Sequence, residues 1–377
     1  MSGQDTSVKV LMLSENDMIK SGVLDMAKCI GVCEDVFMLM TKNDYILGGP
    51  KGHEHGQMLF FPDEPKAPNM PTTGPDRRFM SMCSYVGGKY HTCGMKWYGS
   101  NVQNAQKGLP RSVLTLTLNY AESGLPYAIM QANLLNGTRT GAVPAVGAKY
   151  LARKNSKIHG FIGSGVIARA ALRAMMITVP SLEEALVYDI AKDRAEKWIS
   201  EQKAEFPNLK FTIAGSIEEV ARNADILTVA TSGKIFPRVE TEWLKPGCFF
   251  NMTSAVDMDA DAWNKHTIVA DDWGMHEAIM EDGLESPKGI DAIGIISPSL
   301  YILKAVVEKK YDPKNVKEFV DILAKKIPAR ESEDEVIFFI TTGVQITDTA
   351  WGWTLHEEAV KQGLGTEFKF FDEAHWR

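Results

Sequence analysis

Between Lys157 and Asp189 the chain carries an arrangement that few folds accommodate. A short apolar run, Ile158 to Ile162, meets Gly163-Ser164-Gly165-Val166-Ile167-Ala168. Residues Arg169 to Met176 read as a helix, and a second apolar run, Ala185 to Tyr188, ends on Asp189. Strand, Gly-x-Gly-x-x-Ala turn, helix, strand and acid, in that order, is the pattern of a dinucleotide-binding unit. Gly163 admits the tight turn, Gly165 lets the backbone approach a pyrophosphate, and Ala168 permits close helix–strand packing. The helix N-terminus beyond them offers N–H groups and a partial positive charge to the phosphates. Asp189 lies 26 residues past Gly163 and suits a ribose 2′-hydroxyl, which predicts NAD rather than NADP. Arg194, five residues further on, would soften that preference.

A chain of 377 residues is long for one core, and two domains are expected. Its composition, 45% hydrophobic and 24% charged, is that of a soluble globular protein. The net charge of −7 and the lack of a dense basic block argue against nucleic acid or an anionic membrane as partner. Cys29, Cys33, Cys83, Cys93 and Cys248 are scattered, without the companions of a zinc site, so no metal is expected and the thiols are read as buried and reduced. The N-terminal residues lack the pattern of a signal peptide, and no apolar stretch approaches the roughly 18 residues of a membrane span. A cytoplasmic protein is expected.

Residues 8–13 read as a strand, followed by Ser14 with Asp17 as capping partner and a helical apolar face through Met40. Gly48 to Pro75 is rich in Gly and Pro; it reads as a strand near Gln57–Phe61 between loops. From Arg78 to Met130 the apolar period becomes two, predicting a mixed or antiparallel sheet, and a small-residue helix follows from Asn136 to Arg153. Past Asp189 short helices and strands alternate, including a strand that ends in Thr231-Ser232-Gly233. A doubly wound parallel sheet results, giving an α/β Rossmann fold beside an α+β domain. The last segments read as the strand Glu335–Ile340, Thr341-Thr342-Gly343, a helix to about Gln362 and a returning strand at Glu367–Phe371.

Candidate chemistry lies mostly outside the glycine turn. Lys96 stands mid-strand among large side chains and either snorkels to water or points into a cavity. Arg139 sits among small residues that let a ligand come close, or is an ordinary surface arginine. Arg78, at the start of a strand, equally reads as a solvated edge; together these three cations suit a site that grips a carboxylate. Asp257 and Asp259 follow a Rossmann strand, where ligands of such sheets gather; capping a helix is the plainer alternative. The histidines show no metal-type spacing.

Taken together, the chain resembles the ornithine cyclodeaminase/mu-crystallin family over nearly its whole length. The resemblance rests on Gly94-Met95-Lys96, Lys107-Gly108-Leu109-Pro110-Arg111, Gly124-Leu125-Pro126, Arg139-Thr140-Gly141-Ala142, Ala148-Lys149-Tyr150-Leu151-Ala152, Gly163–Ala168 and the segment from Thr342-Gly343 to Asp348. Gly94 to Ser100, Val269 to Trp273 and Ile327 to Glu335 are most similar to its N-(2-amino-2-carboxyethyl)-L-glutamate synthase-like branch. The resemblance implies a homodimer, with a substrate-binding and dimerisation domain over 1–150 completed by 325–377, and an NAD-binding Rossmann domain over 151–324. It implies carboxylate binding by Arg78, Lys96 and Arg139 and an acid at Asp257, with Asp259 competing because the acidic motif is shifted by one residue. Where the family has Met-Pro, this chain has Met82-Cys83. Cofactor contacts are expected from Thr140, Gly163, Ser164, Gly165, Val166 and Ile167, and from Asp189, Arg194, Thr231, Ser232 and Gly343.

The activity so implied is NAD-dependent oxidation of an amino acid or N-substituted amino acid through an imine, or the reverse reduction. In the branch named, it would split a carboxyethyl-glutamate adduct into a diamino acid and 2-oxoglutarate. A cyclodeaminase making proline from ornithine with NAD recycled is the first alternative, and a non-catalytic dinucleotide-binding crystallin-like protein the second.

Overall fold

The computed structural model describes residues 7–375 except Pro75, Gly233, Lys234, Pro287 and Ile296. The end of the Gly48–Pro75 loop and the last residue of Thr231-Ser232-Gly233 therefore lie outside the described residues. In chain order the first elements are β1 (Val8–Leu13), α1 (Glu15–Lys20), α2 (Met26–Met40), β2 (Tyr45–Leu47), β3 (Gln57–Phe60), β4 (Arg78–Val86), β5 (Thr92–Ser100), β6 (Ser112–Tyr120), β7 (Pro126–Gln131) and α3 (Asn133–Leu151). There follow β8 (Ile158–Ile162), α4 (Val166–Thr178), β9 (Glu184–Tyr188), α5 (Lys192–Glu205), β10 (Lys210–Ile213), α6 (Ile217–Asn223), β11 (Ile226–Val229), β12 (Phe249–Met252), α7 (Ala260–Lys265) and β13 (Thr267–Ala270). The remainder is α8 (Trp273–Glu285), α9 (Leu300–Val307), β14 (Lys317–Glu318), α10 (Phe319–Leu323), β15 (Ile337–Ile340), α11 (Gln345–Gln362) and β16 (Thr366–Phe371).

These elements form two compact units. One comprises the chain up to Asp25, Lys42–Asn136 and everything from Gln345; the other comprises Met26–Thr41 and Gly137–Val344. The bounds differ from the 150/151 and 324/325 divisions expected above. The helix α2 groups with the second unit because Phe37 meets the Phe319 ring edge-on at 5.1 Å and Glu34 takes Lys149 at 2.8 Å.

In the first unit the sheet runs β16-β1-β7-β6-β5-β4-β2, with β3 added to β4. All its pairs are antiparallel except β1 with β7, so the sheet is mixed. Period-two alternation divides its faces. Leu114, Leu116 and Leu118 are buried on one, while Met95, Trp97 and Val113 stand partly exposed on the other. The helix α11 lies on the buried face. A Cβ on Gly94 would fall 2.4 Å from Thr349 Oγ1, and one on Gly352 2.2 Å from Leu116, so glycine is what allows this contact. The single helix expected through Met40 is instead two: Ser14 and Asp17 form the expected capping box of α1, but Gly22, at φ +94°, breaks the run.

The second unit's sheet is wholly parallel, in the order β10-β9-β8-β11-β12-β15-β13-β14. Chain order reverses between β8 and β11, and this switch point is where a doubly wound sheet opens a crevice at its strand ends. Phe161, Ala168, Leu172, Val187 and Trp198 form a core between sheet and helices. Each large side chain buried there contributes roughly 2–3 kcal/mol. Small residues in the part of α3 from Gly137 onward allow close approach: a Cβ on Gly141 would lie 2.5 Å from the Ala170 backbone in α4. The helices α8, α9 and α10 were not expected. Among the described residues no helix is long and apolar enough to cross a membrane.

Candidate active site

The glycine turn leaves β8 at the switch point. Gly163 has φ +98°, and a Cβ there would sit 2.7 Å from the Ala230 carbonyl oxygen and 3.2 Å from the Thr231 methyl. Glycine is required twice over, by conformation and by space. Contact with Ala230 and Thr231 also brings the turn to the end of β11, with Ser232 next in the chain. Gly165 precedes α4 as its N-cap with no side chain to cap it, and a Cβ there would meet no atom within 4 Å. The backbone is thus open where a phosphate would approach, beside Val166 and Ile167 in the first turn of α4.

Asp189 ends β9 beside this turn. Its Oδ2 accepts from the Ser164 amide at 3.0 Å and the Ser164 hydroxyl at 2.6 Å, and its Oδ1 accepts from the Ala191 amide at 3.0 Å. Three of about four acceptor positions on a carboxylate are used, which leaves one for a ribose hydroxyl. Arg194 is exposed in the first turn of α5. The residues present fit a dinucleotide.

A second polar centre in the same unit was not foreseen. Asp271, at the end of β13, is fully buried, and its Oδ1 takes the Asp272 amide and His276 Nε2, both at 3.1 Å. Its Oδ2 takes the amides of Thr342 at 3.1 Å and Gly343 at 3.2 Å. In the neutral ring Nε2 then carries the proton, and Nδ1 accepts from the Ser299 hydroxyl at 2.8 Å. Ser297 Oγ lies 2.6 Å from Ser299 Oγ. This network pins the Thr342-Gly343 turn, whose Gly343, at φ +89°, lies so close to Arg139 that a Cβ would stand 2.1 Å from a guanidinium nitrogen. Arg139 is buried rather than on the surface, and Thr140 follows it in α3. A carboxylate at the end of a parallel strand, as at Asp189, is the sequence signal by which Asp271 could have been found. The spacing of His276 alone did not reveal its role.

Asp257 and Asp259 both approach Arg238. The guanidinium lies 3.3 Å from Asp257 and 2.6 Å from Asp259, and forms two 2.9 Å bonds with Glu240. Asp259 is the more exposed, its carboxyl held below the usual range by the Arg238 hydrogen bond. Asp257 is only 37% exposed, is held less closely and has its backbone fixed by bonds to Pro237 and Val239.

In the first unit Lys96 points inward from β5 and is 1% exposed. Its Nζ donates to Asp348 Oδ2 of α11 at 2.7 Å and to Asn136 Oδ1 at 2.9 Å. Arg78 shares the same sheet face, but stands opposite Ser100 whereas Lys96 stands opposite Met82. Its guanidinium is paired with Asp76 and lies 5.2 Å from the Tyr98 ring centre; Arg111 holds the other Asp76 oxygen, with Nε at 2.7 Å. Arg78 and Lys96 thus have separate carboxylate partners within the chain. Cys83 on β4 and Cys93 on β5 are not buried as expected, whereas Cys29, Cys33 and Cys248 are.

A parallel doubly wound sheet with this turn at its switch point, together with a buried, ion-paired lysine, defines a dinucleotide-dependent enzyme. The match to a family model over residues 23–363 shows that the chain belongs to the ornithine cyclodeaminase/mu-crystallin family. It is 27% identical over 297 residues to the N-((2S)-2-amino-2-carboxyethyl)-L-glutamate dehydrogenase of Staphylococcus aureus, covering 78% of this chain and 82% of that one. The solved Δ1-pyrroline-2-carboxylate reductase of Thermococcus litoralis, in complex with NADH and L-proline, superposes with a TM-score of 0.76 at 26% identity, over 95% of this chain and 99% of that one. An archaeal alanine dehydrogenase dimer with bound NAD gives 0.77 at 25% identity, over 97% and 100% of the two chains.

Next to Asp271, burial pushes the Glu318 carboxyl up to about 7. Its hydrogen bond from the Trp273 amide opposes this, while the Asp272, Asp271 and Asp321 carboxylates add to the rise. Because its folded pKa exceeds its unfolded one, the folded protein binds the extra proton, and stability falls as pH rises from the ordinary 4.5 toward 7. The loss is about 3 kcal/mol at most. Glu318→Gln should therefore gain stability over the parent at pH 8 but not at pH 4, read from urea midpoints. An equal difference at both pH values would contradict this.

Proposed function

We propose that the chain oxidises an α-amino acid or an N-substituted amino acid through an imine, or runs the same step as an imine reductase, with Lys96 and Asp257 as its working groups. The chain is an NAD-dependent oxidoreductase of amino acids and their imines. The observation that carries the assignment of roles is Lys96, an ammonium buried in the first unit and fixed by Asp348 and Asn136. Held in one orientation, it presents a donor to a substrate carboxylate or imine nitrogen without having to reorganise.

NAD, when bound at these residues, would supply the hydride acceptor for oxidation at the substrate α-carbon. The chain's residues handle the rest. Asp257 accepts the N–H proton as the C=N bond forms, and it is the better candidate because Asp259 is more tightly held by Arg238. Water then adds to the imine carbon, the C–N bond breaks, and a 2-oxo acid and an amine leave. Arg139, set by the Gly343 turn, offsets carboxylate charge. Gly163, Ser164, Gly165, Val166 and Ile167 seat the pyrophosphate, Asp189 and Arg194 serve the ribose, and Thr140, Thr231, Ser232 and Gly343 complete the cofactor contacts.

A homodimer goes with this reading. The outward face of the first unit's sheet carries Met95, Trp97 and Val113, and Leu59 on β3 beside them is 48% exposed. An apolar sheet face of this kind suits a second copy of the chain. The five cysteines, none in a disulfide, suit the cytosol.

A panel of amino acids with NAD, and of 2-oxo acids plus amines with NADH, should show a change in NADH absorbance. Ornithine converted to proline and ammonia with no net absorbance change would instead mark a cyclodeaminase. Lys96→Ala should abolish turnover while NADH still binds by fluorescence titration; retained turnover would remove Lys96 from the site. Asp189→Ala should raise the NADP-to-NAD ratio of kcat/KM about tenfold, the effect of one lost charged hydrogen bond. An unchanged ratio would remove Asp189 from ribose recognition. Light scattering should give twice the chain mass for the parent and the single mass for Trp97→Glu, and a monomeric parent would contradict the dimer.

A further inference from the structure

Gln345 opens α11 three residues before Asp348, the carboxylate that holds Lys96. It is 1% exposed, and neither Oε1 nor Nε2 of its side chain meets a hydrogen-bonding partner among the described residues. A buried amide with both donor and acceptor unmet is costly, and native proteins keep few of them. Polar neighbours on the same helix do find partners: Thr349 bonds Ser84 at 2.8 Å, and Asp348, with Asn136, takes the Lys96 ammonium. Residues three and four apart share a helix face, so Gln345 lies one turn from Asp348 and Thr349 on the side that packs on β4 and β5. Helical side chains lean toward the N-terminus, which inclines the Asp348 carboxylate, with its lysine, toward Gln345. The N-terminal end of α11 also carries partial positive charge, which favours an anion beside the donor.

We propose that Gln345 is a substrate-specificity residue that reads the head of an α-amino or α-imino acid, Nε2 donating to its carboxylate and Oε1 accepting from its amine or imine N–H. An α-amino acid carries this donor and acceptor on one carbon, the complement of a side-chain amide. This rests on the functional reading above and deepens it.

Gln345→Met keeps length and apolar bulk but removes both polar atoms. In the substrate-free protein it should leave the unfolding midpoint unchanged or raised, because a costly unmet amide is gone. NADH affinity by fluorescence titration should not move, and KM for the amino acid found in the panel should rise about ten- to a hundredfold, the loss of two ordinary hydrogen bonds. Gln345→Glu keeps the shape but sets a carboxylate against the substrate's, and should raise KM further. A lowered unfolding midpoint with unchanged KM in Gln345→Met would show a structural role and overturn the proposal, as would weaker NADH binding with unchanged KM. If no amino acid or imine drives NADH turnover in the parent, the functional reading fails. The Gln345 assignment fails only when an active parent keeps its KM in Gln345→Met.

Discussion

An ammonium buried as deeply as that of Lys96 stays charged only if a carboxylate is buried with it and further oxygen acceptors surround it. Asp348 supplies the carboxylate from a position 252 residues later in the chain, and Asn136 supplies a second acceptor. The C-terminal segment must therefore return to the first unit and lay α11 on the buried face of its sheet. The glycines at 94 and 352 let the helix lie close enough for the 2.7 Å bond to form. Removing either member of such a pair leaves an uncompensated charge, which costs about 3–5 kcal/mol. The burial of Lys96 and the seating of α11 on this sheet face thus depend on one ion pair.

The Rossmann unit was legible because its determinants are local. Gly163, Gly165, Ala168 and Asp189 lie within one strand–helix–strand span, and at Gly163 both backbone conformation and close packing demand the residue type. The sheet of the first unit was legible for the same reason, through period-two alternation from Arg78 to Met130. Features that depend on distant partners were not. Nothing near Lys96 names Asp348, and nothing near Arg78 shows that Arg111 would share the Asp76 carboxylate with it. Of the helices α8 to α10, α9 and α10 span eight and five residues, too short for an apolar period to register, and α8 opens with the side-chain cap of Asp272, yet its sequence mixes buried His276 and Gly283 with exposed acids. The continuous helix expected through Met40 failed at Gly22, where a left-handed residue outweighs the surrounding helical pattern.

Two buried polar sites show opposite solutions to the same cost. At Asp271 every acceptor position is used: two backbone amides of the Thr342-Gly343 turn, its neighbour's amide and His276, which is itself held by Ser299. A network satisfied to that degree rigidifies what it touches, which here is the turn against Arg139. At Gln345 neither polar atom has a protein partner among the described residues. The first arrangement stabilises geometry in the absence of substrate, whereas the second loses stability without one. Sites that must recognise a polar ligand commonly retain groups of the second kind, because a donor already satisfied by the protein has nothing left to offer. The rigid network and the unmet amide therefore divide the work, one fixing the turn beside Arg139 and the other leaving hydrogen-bonding capacity beside Lys96 for the molecule to be recognised.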